Sequence, residues 1–237
     1  MILEQERFIQ TFARAGISMT QEQFEKYDSY AQMLCAWNRN INLTAITDPE
    51  GITVKHFFDS VFPFFTVGIP RDSSLIDIGS GAGFPGCAVK IWRDDIKLTL
   101  LDSLQKRITF LAQLSDSLGL GATCLHARAE ELGQNSEFRE RFDYATARAV
   151  ANLSDLCEYC LPFVKQGGSF IALKGSGARA EIDAAAEAIE LLGGKLSQVK
   201  EYELPNGDGR TLVVIDKVRP TDSKYPRTSA QMKKKRL

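Results

Sequence analysis

One carboxylate followed by a run of glycines raises the first chemical question about this chain. In the stretch "LIDIGSGAGFPG", Leu75 to Gly86, Asp77 precedes Gly79, Gly81, Gly83 and Gly86. Read from Gly81, the spacing is G-x-G-x-x-G, which lets a backbone turn approach a pyrophosphate. Read from Asp77, it is D-x-G-x-G-x-G, which suits a nucleoside bearing a cationic amino group, such as S-adenosylmethionine (AdoMet). The glycines serve both readings, because either ligand needs a strand-to-helix turn with positive φ and close backbone approach. Asp77 separates the two. A carboxylate at a strand tip repels a pyrophosphate but can hold an α-ammonium, directly or through water. The working register therefore starts at Asp77, and Phe84-Pro85-Gly86 belongs to the start of the next helix.

A second carboxylate, Asp102, ends the predicted strand 97–102. There it can accept bonds from ribose hydroxyls, which fits AdoMet and NAD equally, or it can cap the following helix. The third predicted strand runs into "LHARAEEL". In methyltransferase folds the residues just after this strand flank the adenine, so Ala129 and Glu130 are candidates for that edge, the alternative being a solvated helix start. Phe84 either closes over the cofactor or packs the first helix.

The elements that must position these groups alternate. Candidate strands are 74–78, 97–102, 122–126, 143–147 and 168–173; candidate helices are 85–93, 104–118, 128–133, 153–164 and 177–192. Such alternation predicts parallel strands joined by right-handed crossovers in a three-layer α/β sheet. The ending departs from it: "KLSQVKEYEL", "PNGDG" and "RTLVVIDKV" read as a β-hairpin with Asn-Gly and Asp-Gly turn residues. A parallel sheet closed by an antiparallel hairpin is the Rossmann-like architecture of class I AdoMet-dependent methyltransferases. Residues 1–70 read as a helical extension. Phe24, Tyr27, Ala31 and Leu34 fall at helical spacing behind a Thr20/Gln23 capping box, and a further helix follows Pro49. The predicted organisation is a helical segment over 1–70, an AdoMet-binding domain over 71–218 and a basic tail over 219–237.

Bulk composition is that of a globular protein able to bury a core: 237 residues, 44% hydrophobic and 25% charged. Five cysteines, an odd count mostly in apolar contexts, point to reduced thiols and a cytoplasmic protein. No apolar run approaches the roughly 20 residues that span a bilayer, so no membrane partner is expected, and a monomer is. The formal net charge of −1 hides an asymmetry. Between Lys217 and Leu237 stand eight basic residues and one acid. A tail of this kind meets a polyanion or is merely solvated.

The segment after the fourth strand, "TARAVANL", narrows the methyl acceptor. It has no Asn/Asp-Pro-Pro-aromatic motif of the sort that methylates exocyclic amines. Methylation at C5 of a pyrimidine needs a cysteine nucleophile, yet Cys157 and Cys160 sit within an amphipathic helix and read as core. The same "CEYC" lacks a second ligand pair, so no metal is expected. What remains are acceptors already nucleophilic at neutral pH, such as guanine N7, which need alignment rather than a general base.

Taken in order, "WNRNINLTAITDPEGITVKHFFDSV", "LIDIGSGAGFPG", "LLDSLQKRITFL", "ARAEEL", "TARAVANL", "ALKG", "GRTLVVIDK" and "KYPR" resemble the ribosomal RNA small-subunit methyltransferase G family over most of the chain. The resemblance implies transfer of a methyl group from AdoMet to N7 of a guanine in 16S rRNA, with the rRNA or the small subunit as partner. It assigns cofactor contacts to Gly79, Phe84, Ala129, Glu130 and Arg148. Arg148 can contact AdoMet or RNA phosphate, or pair with a helix acid; with Lys174 it is a candidate for positioning the target nucleotide. His56, Arg210 and the tail residues Lys233, Lys234, Lys235 and Arg236 are further RNA candidates. The tail "KYPRTSAQMKKKRL" departs from the family's pattern, because it lacks the Gly-Pro-rich stretch common after "YPR". The alternative function is an AdoMet enzyme acting on another RNA, a protein or a small molecule.

Overall fold

The computed structural model describes residues 1–148 and 151–237. Ala149 and Val150, inside the "TARAVANL" segment, lie outside the described residues. The chain opens with α1 (Gln5–Ala13) and α2 (Gln21–Asn38), the latter started by the Thr20/Gln23 capping box. Phe24, Tyr27, Ala31 and Leu34 are buried as their spacing requires. The next helix starts at Pro49, with the Asp48 side chain capping Gly51 N–H. It comprises α3 (Pro49–Gly51), a π-helical stretch (Ile52–Phe58) and α4 (Asp59–Val67), and Gly68 ends it in the left-handed conformation.

Strands and helices then alternate. They are β1 (Ser74–Ile78), α5 (Gly86–Trp92), β2 (Lys97–Asp102), α6 (Gln105–Leu118), β3 (Thr123–His126), α7 (Ala129–Leu132), β4 (Phe142–Arg148) and α8 (Leu153–Cys160). After a 3₁₀ turn at Leu161–Phe163 come β5 (Val164–Gly175), α9 (Arg179–Ala184), α10 (Ala186–Leu191), β6 (Gly194–Glu203) and β7 (Gly209–Lys217). A last helix, α11 (Ser229–Lys234), lies in the basic tail. The seven strands are ordered β3-β2-β1-β4-β5-β7-β6. Strands β1 to β5 are parallel, and β7 joins β5 and β6 antiparallel. This is the expected Rossmann-like methyltransferase sheet with its closing hairpin.

Three element boundaries differ from the expectation. The helix expected over 153–164 stops at Cys160, where Pro162 turns the chain into 3₁₀ geometry and Val164 already pairs with Phe142 in the sheet. The helix expected over 177–192 is broken at Ala185 into α9 and α10. Strand β5 is longer than 168–173, because the shift in its pairing with β4 between Phe142 and Tyr144 lets its first residues rejoin the ladder.

Alternation along the strands places successive residues on opposite faces. Leu75, Leu98 and Leu100 join a core formed with α1, α2, α4, α5 and α6, whereas Ile76, Ile78 and Leu101 join a second core under α8, α9 and α10. The N-terminal helices thus roof one face of the sheet and share its core. Two buried tyrosines of α2 tie that roof to the β1–α5 segment: Tyr27 donates to the Ala88 carbonyl at 2.7 Å, and Tyr30 to that of Ala82 at 2.5 Å.

Candidate functional site

Strand order reverses between β1 and β4, and the crevice beyond the carboxyl ends of the parallel strands is where α/β sheets bind ligands. Asp77 of β1, Asp102 of β2 and Arg148 of β4 stand at the carboxyl ends of their strands, and Asp102 lines the cavity there.

The loop after β1 is held tightly. Gly79 N–H donates to the Leu101 carbonyl at 2.8 Å, and Gly81 N–H to Asp102 Oδ2 at 2.9 Å. Gly79, Gly81 and Gly83 all have positive φ. At Gly83 the need for glycine is also steric, since a Cβ there would lie 2.5 Å from the Tyr30 hydroxyl oxygen and 2.9 Å from Cys87 Sγ. A Cβ on Gly86, which opens α5, would lie 2.8 Å from Asp77 Oδ2. The bare Cα atoms of Gly83 and Gly86 are thus covered by protein, leaving the backbone around Gly79 and Gly81 as the part of the loop open to a ligand.

Asp77 is fully buried. Its Oδ2 accepts from Gly86 N–H at 2.8 Å, while Oδ1 has no partner. Burial raises its pKa from 3.8 to about 7, against the lowering effects of the Gly86 bond and of Arg148. An unpaired buried carboxylate oxygen is costly unless something meets it, and a ligand ammonium is a chemically suitable partner. Asp102 is also buried; it accepts from Gly81 N–H and from Leu104 N–H at 2.9 Å, and Arg107 lies 3.3 Å away. It therefore fixes the turn that leads into α6; Oδ2 is taken up by Gly81 and Arg107, and Oδ1, bonded to Leu104 alone, keeps a lone pair for a hydroxyl.

Beside these groups lies a cavity of about 280 Å³, bounded by Gly79, Asp102, Ala129, Glu130, Leu156 and Tyr159 among others. That volume falls at the lower end of ligand pockets and suits a nucleoside better than a dinucleotide. A second cavity of about 280 Å³ lies between α1 and Pro49–Val54, away from the strand tips and the glycine loop.

The remaining predicted residues gather around Phe84. Its ring is buried and runs nearly parallel to Tyr30, with centroids 5.1 Å apart, and to His56, 4.4 Å apart. The Arg148 guanidinium lies 5.0 Å from the Phe84 ring centroid. His56, on the π-helical stretch, is buried; Nε2 is 2.8 Å from Thr44 Oγ1 and Nδ1 has no partner. Burial, with Arg148 nearby, lowers its pKa from 6.5 to about 3, so the ring is neutral at physiological pH.

Arg148 donates to the Lys55 carbonyl at 3.2 Å and lies 3.6 Å from Asp59 Oδ2. Arg210 reaches the same carboxylate at 3.2 Å, and the Tyr202 hydroxyl donates to Asp59 Oδ1 at 3.3 Å. Sequence reasoning did not single out Asp59, Tyr202 or Tyr30, although Asp59 lies within the quoted "HFFDS". Lys174 pairs with Glu181 at 2.8 Å and donates to the Ala151 carbonyl, apart from the Arg148 cluster. Lys234 and Lys235 are exposed, Lys233 reaches the nucleoside-sized cavity, and Arg236 pairs with Asp155 at 2.9 Å.

Arg148, Arg210 and Lys55 surround Asp59 and Asp208, with Lys55 and Asp208 2.9 Å apart. Cys157 and Cys160 are fully buried, and burial pushes both thiols up, as befits core residues. No group of metal-ligating side chains occurs among the described residues.

The fold recurs among known proteins. Solved structures with the same fold include a precorrin-6y C5,15-methyltransferase from Geobacter metallireducens, at TM-score 0.52 and 14% identity, covering 73% of this chain and 90% of that one. Another is a point mutant of the 16S rRNA (adenine(1408)-N(1))-methyltransferase from Catenulisporales acidiphilia, at TM-score 0.53 and 14% identity, covering 64% of this chain and 88% of that one. Curated relatives named ribosomal RNA small subunit methyltransferase G are much nearer in sequence. The protein from Leuconostoc mesenteroides is 45% identical over 97% of this chain and 98% of its own length. That from Desulforamulus reducens is 47% identical over 92% and 91%. The family model for rRNA small subunit methyltransferase G matches residues 23–210, so the glycine loop, both strand-tip carboxylates and the Arg148 cluster lie inside the match, and the chain belongs to that family.

Proposed function

We propose that this protein transfers a methyl group from AdoMet to N7 of a guanine in 16S ribosomal RNA. The observation that carries the reading is Asp77, whose buried, unpaired Oδ1 lies at the sheet's switch point behind a glycine loop and beside a nucleoside-sized cavity. In this reading Asp77 holds the α-ammonium, and Asp102 accepts from the ribose. Ala129 and Glu130 border the adenine, and the Gly79–Gly81 backbone approaches the methionine moiety. When bound, AdoMet supplies an electrophilic methyl on a cationic sulfur, and transfer to N7 moves that charge onto the guanine with no proton released.

Such chemistry needs orientation and electrostatic tolerance. The buried Phe84, packed against Tyr30 and His56, keeps the adjoining glycine loop rigid, and Arg148 with Arg210 offers positive charge to an RNA phosphate. Burial lowers the His56 pKa to about 3 and so makes it a poor base toward the substrate, in keeping with an acceptor that has no proton to lose. A chain that modifies ribosomal RNA works in the cytoplasm, and among the described residues no helix is long and apolar enough to cross a membrane.

The test is borohydride–aniline cleavage and primer extension on 16S rRNA from cells with and without the gene. Loss of one N7-methylguanosine stop in the deletion strain is the expected result. An unchanged stop pattern contradicts the assignment.

A further inference from the structure

The sequence presents the C-terminal segment as a basic arm that is either solvated or laid on a polyanion, but the structure ties it to the chain. The Arg227 guanidinium grips Glu158 with two bonds, Nε to Oε1 at 2.8 Å and the terminal nitrogen to Oε2 at 2.6 Å, and Glu158 is 1% exposed. Arg236 makes a second paired contact with Asp155, at 3.0 and 2.9 Å. Arg139 donates to the Tyr225 and Thr221 carbonyls at 2.7 Å. Tyr225 and Met232 are buried. Residues 229–234 form a helix, started by a Thr228/Gln231 capping box.

The anchors have a common geometry. Glu158 and Asp155 lie on α8, the helix whose Leu156 and Tyr159 line the nucleoside-sized cavity. On the opposite wall, at α7, the Ser229 hydroxyl donates to Glu130, a carboxylate of that cavity. Ser229 and Lys233 themselves line the cavity, and both also border a broader groove of about 850 Å³ on its outer side. The segment therefore bridges the two helices that flank the cavity and divides the cavity from open surface.

We propose that the C-terminal segment, from Arg227 to Arg236, is a wall of the cofactor site. Ser229 is a positioning residue that fixes the Glu130 carboxylate, and the Arg227–Glu158 and Arg236–Asp155 pairs hold the wall in place. This rests on assigning the cavity to the AdoMet nucleoside. The consequence is that loss of the tail weakens AdoMet binding in the absence of any RNA. Loss of a tail that acts only as an RNA arm would instead lower RNA affinity and its salt dependence while leaving AdoMet affinity alone.

The experiment is titration calorimetry of AdoMet into the RNA-free protein, comparing wild type, a chain ending at Arg227, Ser229→Ala, Ser229→Thr and Asp102→Asn. Unliganded melting curves establish that each variant is folded. The truncation and Asp102→Asn are expected to raise the Kd about tenfold, a loss of about 1.4 kcal/mol. Ser229→Ala raises it about threefold, and Ser229→Thr, which keeps the hydroxyl, restores it to within about twofold, since only the bond to Glu130 differs between the two. If Asp102→Asn weakens binding while the truncation leaves Kd unchanged, the tail inference is wrong and the cavity assignment stands. If neither changes Kd, the cavity assignment fails and takes the inference with it. If the truncation does not fold, the Ser229 pair decides: equal Kd values for Ala and Thr overturn the positioning role.

Discussion

The ionisation of Asp77 supplies a quantitative handle on cofactor binding. Its carboxyl is raised from 3.8 to about 7 by burial, so the unliganded protein holds a proton there over most of the acidic range. An ammonium placed at the unpaired Oδ1 favours the carboxylate, so binding must expel that proton. Below pH 7 the AdoMet affinity should therefore fall about tenfold for each pH unit, about 1.4 kcal/mol per decade. Above it the affinity should level until the ligand's own α-amino group begins to lose its proton near pH 8. Calorimetry in two buffers of different ionisation enthalpy should show nearly one proton released per AdoMet at about pH 6, falling toward none by about pH 7.5. Asp77→Asn should abolish both the slope and the proton release. It should also weaken binding at neutral pH by about 1.5–3 kcal/mol, the worth of a bond to a charged group. The same shift acts on folding with the opposite partner. The folded state holds the proton more tightly than the unfolded chain, so its contribution is complete below about pH 4 and is lost as pH rises through about 7. The unliganded Asp77→Asn protein should then be the more stable of the two at pH 7.5 and should lose that advantage in acid. An AdoMet affinity independent of pH between about 5.5 and 7.5, with no proton exchanged, would refute the placement of the ammonium at Asp77.

Two substitutions test the surrounding frame. Gly83→Ala puts a Cβ 2.5 Å from the Tyr30 hydroxyl at a residue with φ of 93°, and should cost about 3 kcal/mol or more, read as a lowered midpoint in urea. Asp59→Asn leaves Arg148 and Arg210 without their shared counter-charge and should cost about 3 kcal/mol, seen as a lowered melting temperature; an unchanged melting temperature would show that the guanidinium groups are solvated instead.

The sheet was legible in the sequence because its strands carry local signals. The apolar run to Ile78, the turn glycines and the Asn-Gly/Asp-Gly pair ahead of β7 each specify conformation within a few residues. The acids followed from that frame, since Asp102 ends β2 and Asp77 is the last residue but one of β1. Less local features were hidden. The π-helical stretch Ile52–Phe58 has the composition of an ordinary buried helix, and its distinction lies in carbonyls taken up by Arg148, 93 residues away in sequence. The Asp59–Tyr202 contact spans 143 positions, and Arg227 meets Glu158 across 69. Charge counts along the tail could not show that two of its arginines are neutralised by α8. The end of α8 at Cys160 was foreshadowed by Pro162, but amphipathic spacing through Val164 masked it.

Methylation itself offers the most direct measurement. Small ribosomal subunits and free 16S rRNA from a strain lacking the gene are incubated with the purified protein and methyl-labelled AdoMet, and the nucleosides are resolved by mass spectrometry. The label should enter N7-methylguanosine alone, at up to one per 16S rRNA, and Asp77→Asn should lower the transfer at limiting AdoMet at least about tenfold. Label in another nucleoside, in ribosomal protein, or in no product would contradict the assignment.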